Sequence, residues 1–334
     1  VQLMSGMTFA KLLKKQFPHI HITIGGNIVT RLKKEFAEKR EFFEQCFDSF
    51  ICYEGEHALV ELVEALDGGR TMQNVANLTW RDASGQIQVN TKLHTEKVSE
   101  APPPDFDGFP LDKYFAPELI LPYLGTRGCY WGKCTFCDHG AGYIDQFRAK
   151  HAEQIVDELE YLKNKLNAKH FMFTDESFPP ALFIKLPPMM VERDLGIYWT
   201  TLIRFESQLL DPKLWDMAHR SGCRSLYYGL ESANERIIKL VKKDTDIEAA
   251  KINLEQAKRV GIWSHVMCFY GFPSETPEEA EDTRQFLIQH QDMIPSVEMY
   301  FFVLYKSAPV MFQTEEYKIK VKENAPRLLD NALA

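Results

Sequence analysis

Cys129, Cys134 and Cys137 fall within one nine-residue stretch of a 334-residue chain. Thiolates that close together can converge on one metal centre, and two chemistries fit. With His139 as fourth ligand they would form a Cys3His structural zinc site. Without it they would hold a 4Fe-4S cluster. Such clusters ordinarily take four thiolates, so three leave one iron open to a substrate or cofactor ligand. The other four of the seven cysteines, Cys46, Cys52, Cys223 and Cys268, stand singly among apolar residues and read as buried structural thiols. An odd cysteine count with three crowded together points away from a disulfide framework.

The elements that must position this loop alternate in type. A strand over 120–125 precedes it. After the loop, at about Gly142, a helix spans 151–167 with Ile155, Leu159, Leu162 and Leu166 on one face. Strands over 170–174, 197–202, 224–229, 262–270 and 297–305 follow, each separated from the next by helix. Asp211-Pro212 starts one helix, Gly222 and Gly261 stop two, and capping boxes are expected at Ser232–Glu235, Thr245–Glu248 and Thr276–Glu279. Six parallel strand units make a partial (β/α)6 barrel, too few for a closed barrel of eight. The cysteines then sit at the carboxyl end of the first barrel strand, where barrel enzymes place their chemistry, and this context favours the cluster over zinc.

Ahead of the barrel, helix 7–17, strand 19–24, helix 28–45, strand 47–53 and helix 56–66 describe an α/β layer with parallel strands. Residues 74–80 and 86–91 read as a hairpin. Ala101-Pro102-Pro103-Pro104-Asp105 is a stiff, extended linker. The expected organisation is a partial α/β domain over 1–72, hairpin and linker over 73–118, barrel over 119–308 and a tail over 309–334. A net charge of −8 with no basic block disfavours nucleic acid. The apolar runs fall well short of a membrane span, and a cytoplasmic protein is expected.

The segment from Arg127-Gly128-Cys129 to Thr135-Phe136-Cys137-Asp138 resembles the cluster loop of the radical S-adenosylmethionine (radical SAM) superfamily, including the aromatic residue before the last cysteine. The commonest family spacing is C-x3-C-x2-C, whereas this chain has C-x4-C-x2-C, so its loop must bulge by one residue. The resemblance covers roughly 119–308. It implies a 4Fe-4S cluster on Cys129, Cys134 and Cys137, with Phe136 beside the cofactor. It also implies that the cofactor S-adenosylmethionine is met by Asp175-Glu176-Ser177 at its amino group and by Arg204 at its carboxylate. Glu231 and Ser232 would serve its ribose, and Gly271, in the turn after the fifth strand, its adenine. The implied activity is reductive cleavage of S-adenosylmethionine to a 5'-deoxyadenosyl radical that abstracts hydrogen from substrate. A flavodoxin- or ferredoxin-type electron donor or a reductase is the expected partner.

Residues 1–66 resemble the second half of the Rossmann-like cobalamin-binding domain often fused ahead of this barrel, through Ile24-Gly25-Gly26-Asn27 and Tyr53-Glu54-Gly55-Glu56. Gly25 and Gly26 would admit a corrin or its tail closely. The domain's usual Asp-x-His-x-x-Gly segment is not in the sequence, and a helix-first opening implies a domain lacking its leading half. With cobalamin, the implied reaction is methylation of an unactivated carbon in a peptide or small natural product. A tRNA methylthiotransferase, which would bring three further amino-terminal cysteines and a basic carboxyl-terminal module, and a non-catalytic zinc-stabilised module are the alternatives. The aromatic residues Tyr130, Trp131, Phe136 and Tyr143 near the loop suit packing and ligand contact equally.

Overall fold

The computed structural model describes residues 2–142 and 147–320. Tyr143, and the part of the expected tail beyond residue 320, lie outside the described residues. The chain divides into two compact units. One is formed by Val1–Glu96 and a short excursion beginning at Gly140, the other by Lys97–His139 and Gln146–Ile319.

The first unit runs α1 (Gln2–Gln16), β1 (Thr23–Gly25), α2 (Asn27–Arg31), α3 (Lys33–Glu38), α4 (Arg40–Gln45), β2 (Ser49–Ile51), α5 (Glu56–Leu66), β3 (Leu78–Arg81) and β4 (Ile87–Val89). Its sheet has the order β1-β2-β3-β4, parallel for the first pair and antiparallel thereafter. The hairpin therefore extends the first sheet instead of standing apart from it. The single helix expected over 28–45 is three short ones, broken at Leu32 and Lys39. None of the three has a side-chain cap. What holds them is tertiary packing: Phe36, Phe42, Phe43 and Phe47 are fully buried and cluster about Phe50 of β2. Burial of aromatic surface outweighs local helix continuity here.

The second unit carries β5 (Ile120–Tyr123), β6 (Thr126–Gly128), β7 (Phe147–Ala149), α6 (Ala152–Leu166), β8 (His170–Phe173), α7 (Pro180–Glu192), β9 (Tyr198–Ile203), α8 (Pro212–Arg220), β10 (Cys223–Glu231), α9 (Glu235–Val241), α10 (Ile247–Val260), β11 (Trp263–Tyr270), α11 (Pro277–Gln289) and β12 (Ser296–Phe301). Strands β5, β8, β9, β10, β11 and β12 form one sheet in that order, parallel throughout, which is the partial barrel. Strands β6 and β7 pair separately as a small antiparallel ribbon.

The helix-facing residues of the strands are fully buried and apolar: Phe171, Phe173, Trp199, Leu226 and Val266 among them. Phe183 of α7 touches both Trp199 and Trp215 of α8, so helices and sheet share one core. Caps set the helix starts, though not always where expected. The box at Thr276–Glu279 forms, whereas α9 is capped by Asn234 and α10 by Asp246, one or two residues past the expected Ser232 and Thr245. Short Asx side chains reach the N2 and N3 amides as well as hydroxyls do. No helix among the described residues is long and apolar enough to cross a membrane.

Gly222 and Gly261 both follow helices with positive φ, but their surroundings differ. A Cβ on Gly222 (φ 99°) would lie 1.8 Å from the carbonyl oxygen of Ile197, while one on Gly261 (φ 78°) would meet nothing within 4 Å. Gly261→Ala should cost about 1–2 kcal/mol, the left-handed penalty alone. Gly222→Ala should cost far more, because the Gly222 carbonyl also accepts from Trp199 N at the start of the β9–β10 pairing. Urea denaturation of the two variants checks this; equal stabilities would contradict the crowding.

Candidate active site

The cysteine loop leaves the sheet after β5, and its root is fixed by Asp175 just beyond β8. That carboxylate accepts from Thr126 Oγ1 and from the Gly125 amide. Asp175 is buried, and burial pushes its carboxyl up to about 6, against the pull of these donors. It therefore ties the entry of the loop to the second strand. Farther along, the loop is tied to the α9–α10 connection and to the carboxyl-terminal tail: Thr135 N donates to Val241 O, and Thr135 O accepts from Val310 N.

Cys129, Cys134 and Cys137 are each partly exposed, and the three lie near enough to perturb one another electrostatically. Burial pushes the Cys137 thiol up to about 11. Burial also raises that of Cys134, while the cations of Lys243 and Arg204 pull it down. Among the described residues, no three His, Cys, Asp or Glu side chains converge tightly enough for a single ion. Thiols near enough to perturb one another, with the buried cations of Lys243 and Arg204 acting on Cys134, suit an anionic thiolate centre.

The extra residue in the loop has a visible use. The ring of Trp131 lies 3.9 Å from the Arg204 guanidinium, and its indole N–H donates to Lys242 O (2.9 Å). Tyr130 donates its hydroxyl proton to Glu206 (2.5 Å), which also pairs with Arg204 (3.1 Å). Arg204 Nη2 donates to Lys243 O (2.6 Å). The bulged loop thus clamps onto the end of β9 through two adjacent aromatic residues, and Arg204 Nη1 is left buried with no hydrogen-bond partner.

Lys243, which sequence reasoning missed, is the cation that pulls the Cys134 thiol down most. Its Nζ meets Glu231 Oε1 at 2.7 Å. Burial disfavours its ammonium, but Glu231 and Cys134 together outweigh this and raise the pKa. Glu231 ends β10 at φ 64°, an uncommon conformation for a side-chain-bearing residue. A Cβ on Gly229 would lie 2.4 Å from Lys243 Nζ, so the glycine makes room for the pair. The available signal was a Lys242-Lys243-Asp244 turn with no glycine after α9, in which Lys242 and Asp244 both adopt positive φ.

The remaining candidates divide. Glu176 and Ser177 follow Asp175 on the same strand-to-helix connection, partly and fully buried respectively. Ser232 is buried against Thr283 (3.1 Å) and accepts from Asn234 N (3.1 Å), so its hydroxyl organises the start of α9. Phe136 packs edge-on against Phe269 at the end of β11 (5.1 Å). Gly271 takes φ 76°, and its amide is held by Glu275. In the first unit, Gly25 and Gly26 line a hollow of about 930 Å3 together with Leu3, Met4 and Met7.

A family profile described as the Radical SAM superfamily matches residues 123–287, the stretch that runs from the last residue of β5 through the cysteine loop and strands β8 to β11. The chain belongs to the radical SAM superfamily. An uncharacterized methyltransferase of Pyrococcus horikoshii is 28% identical over 84% of this chain and 60% of its own length. The bacteriochlorophyllide d C-12(1)-methyltransferase of Chlorobaculum tepidum is 30% identical over 66% of this chain and 48% of its own. The radical SAM chain thus spans about half to three fifths of these curated relatives. Its fold is shared with OxsB, a cobalamin-dependent S-adenosylmethionine radical enzyme solved with aqua-cobalamin and S-adenosylmethionine bound (TM-score 0.79, 18% identity, 98% of this chain and 53% of that one). It is shared also with the radical S-adenosylmethionine methyltransferase TsrM of Kitasatospora setae, solved with cobalamin and a [4Fe-4S] cluster (TM-score 0.74, 17% identity, 92% of this chain and 62% of that one).

The anchoring role of Asp175 has a pH signature. Its folded pKa of about 6 lies above the unfolded value near 3.9, so the native state retains the proton preferentially. Ionisation then costs stability progressively between about pH 4 and 6, and the full penalty, up to roughly 3 kcal/mol, applies above that window. Asp175→Asn keeps an acceptor for Thr126 and removes the charge. Urea denaturation at pH 4.5 and 7.5 should show the variant gaining on the parent at the higher pH. An unchanged difference between the two pH values would refute the assignment.

Proposed function

We propose that this chain is the catalytic portion of a radical SAM methyltransferase. The observation that carries the proposal is the trio Cys129, Cys134 and Cys137 at the carboxyl edge of a parallel half-barrel, with the buried Lys243–Glu231 pair beside it. When bound, a 4Fe-4S cluster and S-adenosylmethionine supply a 5'-deoxyadenosyl radical able to abstract hydrogen from an unactivated carbon.

The chain's own residues hold and orient. The three thiolates ligate the cluster, and the Arg204 and Lys243 cations offset its negative charge. Lys243 and Arg204, whose Nη1 is buried with no hydrogen-bond partner, are the two cations suited to the methionine carboxylate. Glu231 can accept from ribose hydroxyls, Glu176 and Ser177 reach the methionine amino group, and the Gly271 turn leaves space for adenine. Asp175 acts one step back, by fixing the root of the loop.

Methyl transfer to a small molecule or peptide, with cobalamin seated against Gly25 and Gly26, is the reaction that the relatives named as methyltransferases support. A flavodoxin- or ferredoxin-type donor in a reducing cytoplasm would supply the electron. The full activity belongs to a protein of the relatives' length.

Anaerobic reconstitution with iron and sulfide, then dithionite and S-adenosylmethionine, should yield a brown protein and 5'-deoxyadenosine by chromatography. Cys134→Ala should lose both. Lys243→Met should keep the cluster absorbance yet need at least tenfold more S-adenosylmethionine for half-maximal cleavage. A colourless protein that makes no 5'-deoxyadenosine would defeat the proposal.

A further inference from the structure

We propose that the amino-terminal end of the half-barrel, on the sheet face opposite the helices, is a second ligand site that takes a planar aromatic carboxylate. The proposal stands apart from the cluster reading. From Ser225 to Glu231, β10 separates this site from the strand ends by roughly 20 Å at the usual rise per residue.

A closed barrel fills its interior with ranks of branched apolar side chains. Here the interior positions near the strand starts are different. The register places Tyr198 beside His170, then Thr200 beside Ser225, then Leu202 beside Tyr227. Rings therefore stand at either end of a rank of two small hydroxyl residues. Four residues of strand, roughly 13 Å, separate Tyr198 from the rank of Tyr227. The result is a hollow of about 410 Å3 lined by His170, Tyr198, Thr200, Ser225 and Tyr227 among others, within the range of small-molecule sites. The opposite face of the same strands is buried and, Thr201 apart, apolar, so the hollow is not a defect in the core.

Two further observations indicate what enters it. The β9–β10 register shifts between Cys223 and Ser225, and the residue in the shift is Arg224. Bulges of this kind re-aim a side chain. Arg224 lines the hollow, stacks on Tyr198 (4.7 Å to the ring) and is steadied by Nη1 donating to the carbonyls of His219 and Cys223 (both 3.0 Å). Those carbonyls fix the guanidinium without neutralising it, and no carboxylate pairs with it among the described residues. Thr200 Oγ1 is buried with no hydrogen-bond partner, a cost normally met by a ligand or water. A fixed cation at the mouth, aromatic rings at both ends and an unmet hydroxyl between them match a flat ring bearing a carboxylate.

Naphthalene-2-carboxylate is the probe, with naphthalene-2-carboxamide as its neutral control, titrated into the whole chain by calorimetry and followed by saturation-transfer NMR. We expect one saturable site for the acid and at least tenfold weaker binding of the amide. Arg224→Gln should lose at least tenfold, and the near-isosteric Thr200→Val, which disturbs no hydrogen bond, several-fold. S-adenosylmethionine should not displace the acid. Absence of saturable binding, equal binding of the amide, indifference to both substitutions or displacement by S-adenosylmethionine would each overturn the proposal.

Discussion

Parallel strand pairing is the constraint on which the rest of this protein depends. In the six-stranded sheet every strand runs the same way, so each must return through a helix, and every strand-to-helix connection falls on one edge. Residues far apart in the chain, Cys134, Asp175, Arg204, Glu231 and Lys243, are brought to that edge with no local sequence relation among them. The helices cover the opposite face of the strands with fully buried aromatic and aliphatic side chains. That core makes the edge rigid enough to hold charged groups in fixed positions.

Those charges are arranged in compensating pairs. Burying a carboxylate or an ammonium alone is expensive, and pairing recovers much of the cost only with good geometry. Lys243 and Glu231 meet at 2.7 Å, and Arg204 and Glu206 at 3.1 Å, both close to the cysteine loop. The strained φ of Glu231 and the absence of a side chain at Gly229 are what the geometry of the first pair requires. The second pair is roofed by Trp131 and joined by Tyr130, so the inserted residue of the cysteine loop appears as part of a clamp and not as an interruption.

Polar residues on the inner sheet face complete this picture. The ranks nearest the strand starts carry Tyr, His, Thr and Ser where a closed barrel would place branched aliphatics. A sheet that buries only one of its faces can give the other to ligands, and the two ends of this face offer different chemistry. One end presents thiols and ion pairs, the other rings, hydroxyls and a single guanidinium.

The sequence by itself determined the alternating elements of the barrel and the position of the cysteine loop with its three thiols. These are local matters: hydrophobic period, glycine and proline punctuation, and thiol spacing act over a few residues and can be read from neighbours. It did not determine the breaks at Leu32 and Lys39, because those follow from four phenylalanines packing on Phe50. Nor did it assign the polar residues of the strand ends. Trp131 stacked on Arg204, Thr283 beside Ser232, and the turn after α9 that carries Lys243 inward to Glu231 are contacts that no local pattern shows. Side-chain partners drawn from separate strands and helices exist only once the sheet has formed, so the roles of these residues were decided by tertiary structure alone.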